Sequence, residues 1–163
     1  MLDDIYNQKI LELAGNIPRI GRLDPYDVTS KQHSKLCGST VIVDLCTNQE
    51  DGELVVTDFA HDVKACALGQ ASSSIMARNI IGASAKELKT LRTQMRAMLK
   101  DNGPPPEGRF GDYQYLEPVR EYKARHASTM LTIEAVVDCI TQIEQAAVNN
   151  NPLNERQAVA KNY

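Results

Sequence analysis

Thr40-Val-Ile-Val-Asp-Leu-Cys46, Asn48-Gln-Glu-Asp-Gly52 and Leu54-Val-Val-Thr-Asp-Phe59 follow one another as two β-branched runs around a polar turn. Asp51-Gly52 between β-prone runs is a strong short-range hairpin signal, because both positions of a tight hairpin turn need positive φ. A third, shorter strand is expected over His61 to Ala65. The texture changes at Cys66, where Cys-Ala-Leu-Gly-Gln-Ala-Ser-Ser-Ser-Ile-Met-Ala begins. Small residues leading to Ile75, Met76, Ile80 and Ile81 read as a helix packed tightly against a neighbour and ended by Gly82. Ser84 and Glu87 then form a capping box for a further helix, with Leu88, Leu91, Met95 and Met98 on one face. The expected fold is therefore α+β: a small three-stranded antiparallel sheet packed against several helices.

Outward from this centre, Leu2, Ile5, Tyr6, Ile10 and Leu13 keep helical spacing over residues 2–14, and Gly15 follows as a stop signal. Residues 16–35 carry Pro18, Gly21 and Pro25 and read as an extended arm or loop. Residues 101–118 contain three consecutive prolines and are expected to be a loop, since proline removes a helical donor and clashes with the preceding turn. A last long helix is expected from about Ala127 to Val148, with Ile133, Val136, Ile140, Ile143 and Ala147 in one stripe, and a short helical turn from Val119 leads into it. The chain divides into a single domain over residues 1–148 and a polar tail over 149–163.

The 163 residues are 42% hydrophobic and 24% charged, with a net charge of −3. That composition excludes a disordered or collagen-like chain. No apolar run approaches the roughly 20 residues of a membrane-spanning helix. The acidic start, Met1-Leu2-Asp3-Asp4, is unlike a secretory signal, so a cytoplasmic protein is expected. Mild acidity provides no electrostatic basis for nucleic-acid binding.

The four cysteines, Cys37, Cys46, Cys66 and Cys139, are separated by 9, 20 and 73 residues. No zinc-finger spacing is present, so a metal site has to be assembled from distant segments. Cys66 stands where a strand hands over to a helix, and oriented N–H groups there favour the thiolate that soft metals need. Its alternative reading is a small buried hydrophobe. Cys37 precedes Gly38, which permits close backbone approach or an unusual dihedral. Cys46 lies at the far end of the same strand from Cys37 and shares no site with it. Cys139 falls on the apolar stripe of the last helix and reads as core. His126 precedes that helix, where a neutral imidazole is favoured and is a candidate ligand. Arg120, Lys123 and Arg125 beside it read as a solvated face or a partner contact. His33 and His61 are expected at the surface. No nucleophile elbow surrounds Ser72, Ser73 and Ser74.

Taken together these segments resemble the U-type iron–sulfur cluster scaffold family (IscU, SufU and the N-terminal part of NifU). Ile17-Pro-Arg-Ile-Gly21 is similar to the family's Asn-Pro-Arg-Asn-x-Gly arm, and Leu36-Cys37-Gly38-Ser39 to its Ala-Cys-Gly-Asp. Ala65 to Ser74 is similar to Gly-Cys-x-x-x-x-Ala-Ser-Ser-Ser, the most specific of the motifs. Arg125-His126-Ala127-Ser128 is similar to x-His-Cys-Ser before the final helix. The match spans about residues 5 to 147 in unbroken order. The insert at 100–118 and Tyr122-Lys-Ala-Arg125 are more similar to the SufU branch than to IscU.

The resemblance implies a nascent cluster, or zinc, held by three cysteines with an Asp or His, and sulfur delivered by a cysteine desulfurase. By position this chain keeps Cys37, Cys66 and His126 as metal ligands. Ser39 replaces the aspartate and Ala127 the third cysteine, and the segment recognised by the family's Hsp70-type chaperone is missing. The expected function is an assembly scaffold or carrier for a labile iron–sulfur cluster, iron or zinc, with acceptor apoproteins as further partners. The alternative is a binding module that kept the fold, lost assembly and only engages partner proteins. A Cys66–His126 enzyme ranks last, since no third residue orients the pair; the chain is not expected to be an enzyme.

Overall fold

The computed structural model describes residues 5–149. Helix α1 (Gln8–Gly15) is followed by strands β1 (Val28–His33), β2 (Thr40–Glu50) and β3 (Glu53–Lys64). Helices α2 (Ala67–Asn79) and α3 (Ala85–Lys100) come next, then a 3-10 segment over Gly108–Glu121, a 3-10 turn over Lys123–Arg125 and helix α4 (His126–Asn149). The three strands form one antiparallel sheet in the order β1-β2-β3. The α+β class with a three-stranded sheet is as expected; several individual elements differ from the sequence reading.

The hairpin turn is tighter than Asn48–Gly52. Only Asp51 and Gly52 leave the ladder, both with positive φ, 52° and 82°, and Glu50 pairs with Glu53. The strand expected over 61–65 is not separate. β3 runs unbroken through that stretch, and the third strand is β1, inside the stretch expected to be an irregular arm. Its Val28–His33 pair with Leu45–Thr40 of β2. Polar Thr-Ser-Lys-Gln has no strand signature of its own. It becomes a strand because β2 offers an open ladder and α4 covers its inner face, where Ser30 Oγ donates to Asp138 at 2.7 Å.

Continuity of β3 also corrects the placement of His61. The register sets Phe59 opposite Leu45 and His61 opposite Val43, so both lie on the core-facing side, since alternate residues share one face of a strand. His61 is fully buried, against the surface position expected. Its Nε2 donates to the Pro18 carbonyl at 2.9 Å, and burial holds its pKa below the ordinary value. Arg19 to Gly21 pair with His61 through the backbone and so cover the edge of β3. On the opposite face Asp44 is buried. It accepts from Arg22 at 2.7 and 3.0 Å, from the Leu23 N–H and from the Thr29 hydroxyl. Burial opposes ionisation of this carboxylate, and these donors outweigh it, holding its pKa below the usual range.

The third correction concerns 101–118. The chain after the prolines winds into the 3-10 segment instead of remaining a loop, and Phe110, Tyr113, Leu116 and Val119 are buried. Their spacing is three, the period at which 3-10 side chains eclipse. The segment packs on α2, where Tyr113 Oη donates to the Ser72 carbonyl at 2.9 Å. α1 is shorter than expected, starting after its Asn7 cap, with Ile10 and Leu13 buried; Leu2 lies outside the described residues. α3 has the expected capping box. α4 spans the sheet and the other helices with Cys139 fully buried among them, as expected, its thiol pushed up to about 12 by burial. The tail beyond Asn149 lies outside the described residues.

Candidate metal centre

Three segments meet at the N-terminal ends of α2 and α4. The first is the loop between β1 and β2. Its ends are tied by the Ser34 N–H donating to the Ser39 carbonyl and the Gly38 N–H to the Ser34 carbonyl, both at 2.9 Å. Gly38 has a φ of 71°, which a side chain would strain. This closed loop presents Cys37 at the surface. Cys37 Sγ lies 2.9 Å from Ser39 Oγ and 3.5 Å from Ser34 Oγ.

The second segment is the β3–α2 junction. Cys66 is the N-cap of α2, half-buried, and makes no capping bond with its side chain. Its Sγ donates to Ser128 Oγ at 3.5 Å. The third segment is the first turn of α4, which carries His126, Ala127 and Ser128. Ser128 is buried, and its hydroxyl donates to the Arg125 carbonyl at 3.1 Å. The same hydroxyl also stabilises the Cys37 thiolate.

Burial pushes the Cys37 thiol up, but the hydroxyls of Ser34 and Ser39, the Ser39 backbone N–H and Ser128 outweigh it and bring its pKa down to about 7. Cys46, 3.8 Å from the Pro25 carbonyl, is instead raised by burial and by Asp27, Asp58 and Asp44. One prediction is immediate. Alkylation of the metal-free protein by iodoacetamide will show a site at Cys37 with a pH midpoint near 7, rising toward the ordinary thiol value in Ser39→Ala, while Cys139 stays unreactive without denaturant. Peptide mapping across a pH series checks it.

His126 is buried, and its Nε2 lies 3.0 Å from the Val119 carbonyl and 3.1 Å from that of Arg120. A carbonyl only accepts, so Nε2 carries the proton and the lone pair is at Nδ1. Backbone carbonyls commonly fix the tautomer of metal-ligating histidines in this way. Cys66 is bonded to Ser128, the same serine is the weakest of the groups lowering the Cys37 pKa, and His126 stands on the same helical turn. Among the described residues no three His, Cys, Asp or Glu side chains converge closely enough to hold a metal ion. Ser39 bonds to the Cys37 sulfur, and Ala127 is exposed and has no donor.

Two contributors were not weighed in the sequence. Ser128 follows the His-Ala pair directly, and its place in the fourth motif was its one signal. Gly69 lies in α2, where a Cβ would come within 2.8 Å of Ala65 Cβ and 3.1 Å of the Ser128 carbonyl oxygen. Glycine lets α2 approach the first turn of α4 closely enough for Cys66 to reach Ser128. Gly69→Ala is expected to lose about 1–2 kcal/mol in urea unfolding, as overpacking outweighs the gain in helix propensity. The serines that follow α2's first turn seat the same helix: Ser73 bonds to Thr132 of α4, and Ser74 donates to the Asn16 carbonyl after α1 at 3.5 Å.

Residues 5–129 match the family model described as the NifU-like N-terminal domain. Among curated proteins the chain is 26% identical over 141 residues to the iron–sulfur cluster assembly scaffold protein IscU of Thermotoga maritima, a match covering 86% of this chain and 96% of that one. Among solved structures, the N-terminal part of a nitrogen-fixing NifU-like protein from Brucella abortus is 65% identical. It superposes with a TM-score of 0.83 over 88% of this chain and 97% of that one. A putative SUF-system scaffold protein from Fervidobacterium islandicum is 18% identical, with a TM-score of 0.75 over 84% of this chain and 97% of that one. This last likeness speaks to the fold alone.

Proposed function

The chain belongs to the NifU-like N-terminal domain family of iron–sulfur cluster assembly scaffolds, and from that premise we propose that it carries a labile cluster, iron or zinc on Cys37, Cys66 and His126. The observation that supports this reading most directly is the bond from Cys66 to Ser128, a serine that also acts on Cys37, with the Cys37 pKa near 7. Metal binding requires the thiolate, so a thiol already about half ionised at neutral pH adds little proton-release cost. Cys37 captures the metal from its exposed loop. Cys66, fixed at the start of α2, is the second thiolate. His126 contributes Nδ1 while its N–H remains on the Val119 and Arg120 carbonyls.

Ser39 and Ala127 leave the set incomplete, since a closed zinc site or a two-iron cluster takes four ligands. A water, a small thiol or a partner side chain completes it, and the cargo is held loosely enough to pass on. The loop carrying Cys37 closes toward α4 as the ligands converge. A cysteine desulfurase is the sulfur source and acceptor apoproteins are the destination, in the cytoplasm. Among the described residues no helix is long and apolar enough to cross a membrane. The test is metal and acid-labile sulfide content of anaerobically purified protein beside Cys66→Ala. Metal-free wild type that still binds a desulfurase would instead identify a scaffold fold reduced to partner binding.

A further inference from the structure

A second feature of the α4 N-terminus adjoins the proposed metal site and shares His126 and Ala127 with it. A cavity of about 820 Å³ opens between the last turns of α3, the end of the 3-10 segment and the first turns of α4. Four cations line it, Arg96, Lys100, Arg120 and Lys123, against two carboxylates, Glu121 and Glu134. Glu134 is committed to Arg96 at 2.7 Å and to Arg92 at 3.8 Å, which leaves it no free charge to offer the cavity. No ion pair engages Lys100 or Lys123 among the described residues. Arg120 donates through one terminal nitrogen to the Gly103 carbonyl at 3.0 Å and pairs with Glu117 at 3.7 Å, while its Nε is buried without an acceptor.

His126 and Ala127 form the adjoining wall, so the positive end of the 24-residue α4, which has no acidic residue in its first turn, faces the same space. Leu99 and Met130 supply an apolar floor. Two lysines without ion-pair partners among the described residues, and a concave, partly apolar wall, fit one ligand class. We infer that this cavity binds a small organic anion bearing two or more carboxylate or phosphate groups. Because the cavity shares His126 and Ala127 with the proposed metal site, the inference is tested on metal-free protein, where anion binding is read whether or not the metal reading holds.

The experiment is calorimetric titration of the metal-free full chain with citrate, with pyrophosphate and with acetate, in the wild type and in K100Q/K123Q. Both lysines are exposed, so the double variant keeps the fold, and circular dichroism verifies it. K86Q/K89Q, on the other end of α3, is the control for surface charge. Citrate or pyrophosphate is expected to bind at least about tenfold more tightly than acetate, and K100Q/K123Q to lose about tenfold or more of that affinity while K86Q/K89Q loses none. The stronger of the two multivalent probes distinguishes carboxylate from phosphate recognition. Absence of binding, equal affinity for acetate, or equal losses in the two double variants would overturn the inference.

Discussion

Anaerobically purified protein is expected to carry iron with acid-labile sulfide, or zinc, at less than one equivalent per chain, and Cys66→Ala to carry none. This is the largest effect anticipated for a single substitution. Cys66 is the one thiol fixed by secondary structure at the proposed site, as the N-cap of α2 beside Ser128. Two ligands, Cys37 on its loop and His126, do not close a site for a soft metal. The loss is separable from unfolding. Cys66 makes no capping bond with its side chain, so alanine there costs no more than about 1 kcal/mol and thermal unfolding stays close to the wild type. Cys46→Ala, placed beside Pro25 and away from the thiol pair, is expected to retain the metal. Wild type that stays colourless after reconstitution with iron and sulfide would remove the scaffold reading, and a module that engages partners only would take its place.

The second large effect is a gain. Ser39→Asp combined with Ala127→Cys is expected to raise metal content to about one equivalent per chain and to tighten zinc binding by at least about tenfold. Ala127 is exposed at the first turn of α4, next to His126 and Ser128, so a thiol there needs no repacking. Ala127→Cys alone should supply most of the gain, because a thiolate is charged and soft where a serine hydroxyl is neither. Ser39 is buried against the Cys37 sulfur. A carboxylate in its place repels the thiolate, raising the Cys37 pKa in the metal-free protein and lowering it again once a cation is bound. Competition with a chromophoric chelator measures both variants. No gain in Ala127→Cys would mean that the first turn of α4 does not face the metal.

The two substitutions also state what the missing ligands do. With both present, five candidate donors are at hand where the chain as it stands has three. With Ser39 and Ala127 the Cys37 thiolate is stabilised by hydroxyls rather than by sharing a metal with further ligands, as the proposed carrier reading requires.

Much of this architecture was legible in the order of residues alone. The Asp51-Gly52 hairpin, the Ser84–Glu87 capping box and the apolar stripe of α4 are local features. A turn, a cap or a helical period is satisfied within a few residues, so the chain carries its own evidence for each. The Cys66 motif was also readable by resemblance, and the Cys37, Cys66 and His126 set is proposed from the same resemblance. What the tertiary structure decided depends on partners far away in the chain. β1 is a strand because β2 and α4 receive it, and no pattern in Thr-Ser-Lys-Gln announces that. His61 is buried because the register carries β3 past Phe59 on the core side. Residues 110–119 wind into a 3-10 segment because α2 and α3 offer an apolar seat to every third side chain. The low pKa of Cys37 comes from hydroxyls on its own loop and on α4, 91 positions away at Ser128. Hydrogen bonding and desolvation act through space, so thiol chemistry and the cationic cavity existed only once distant segments had packed.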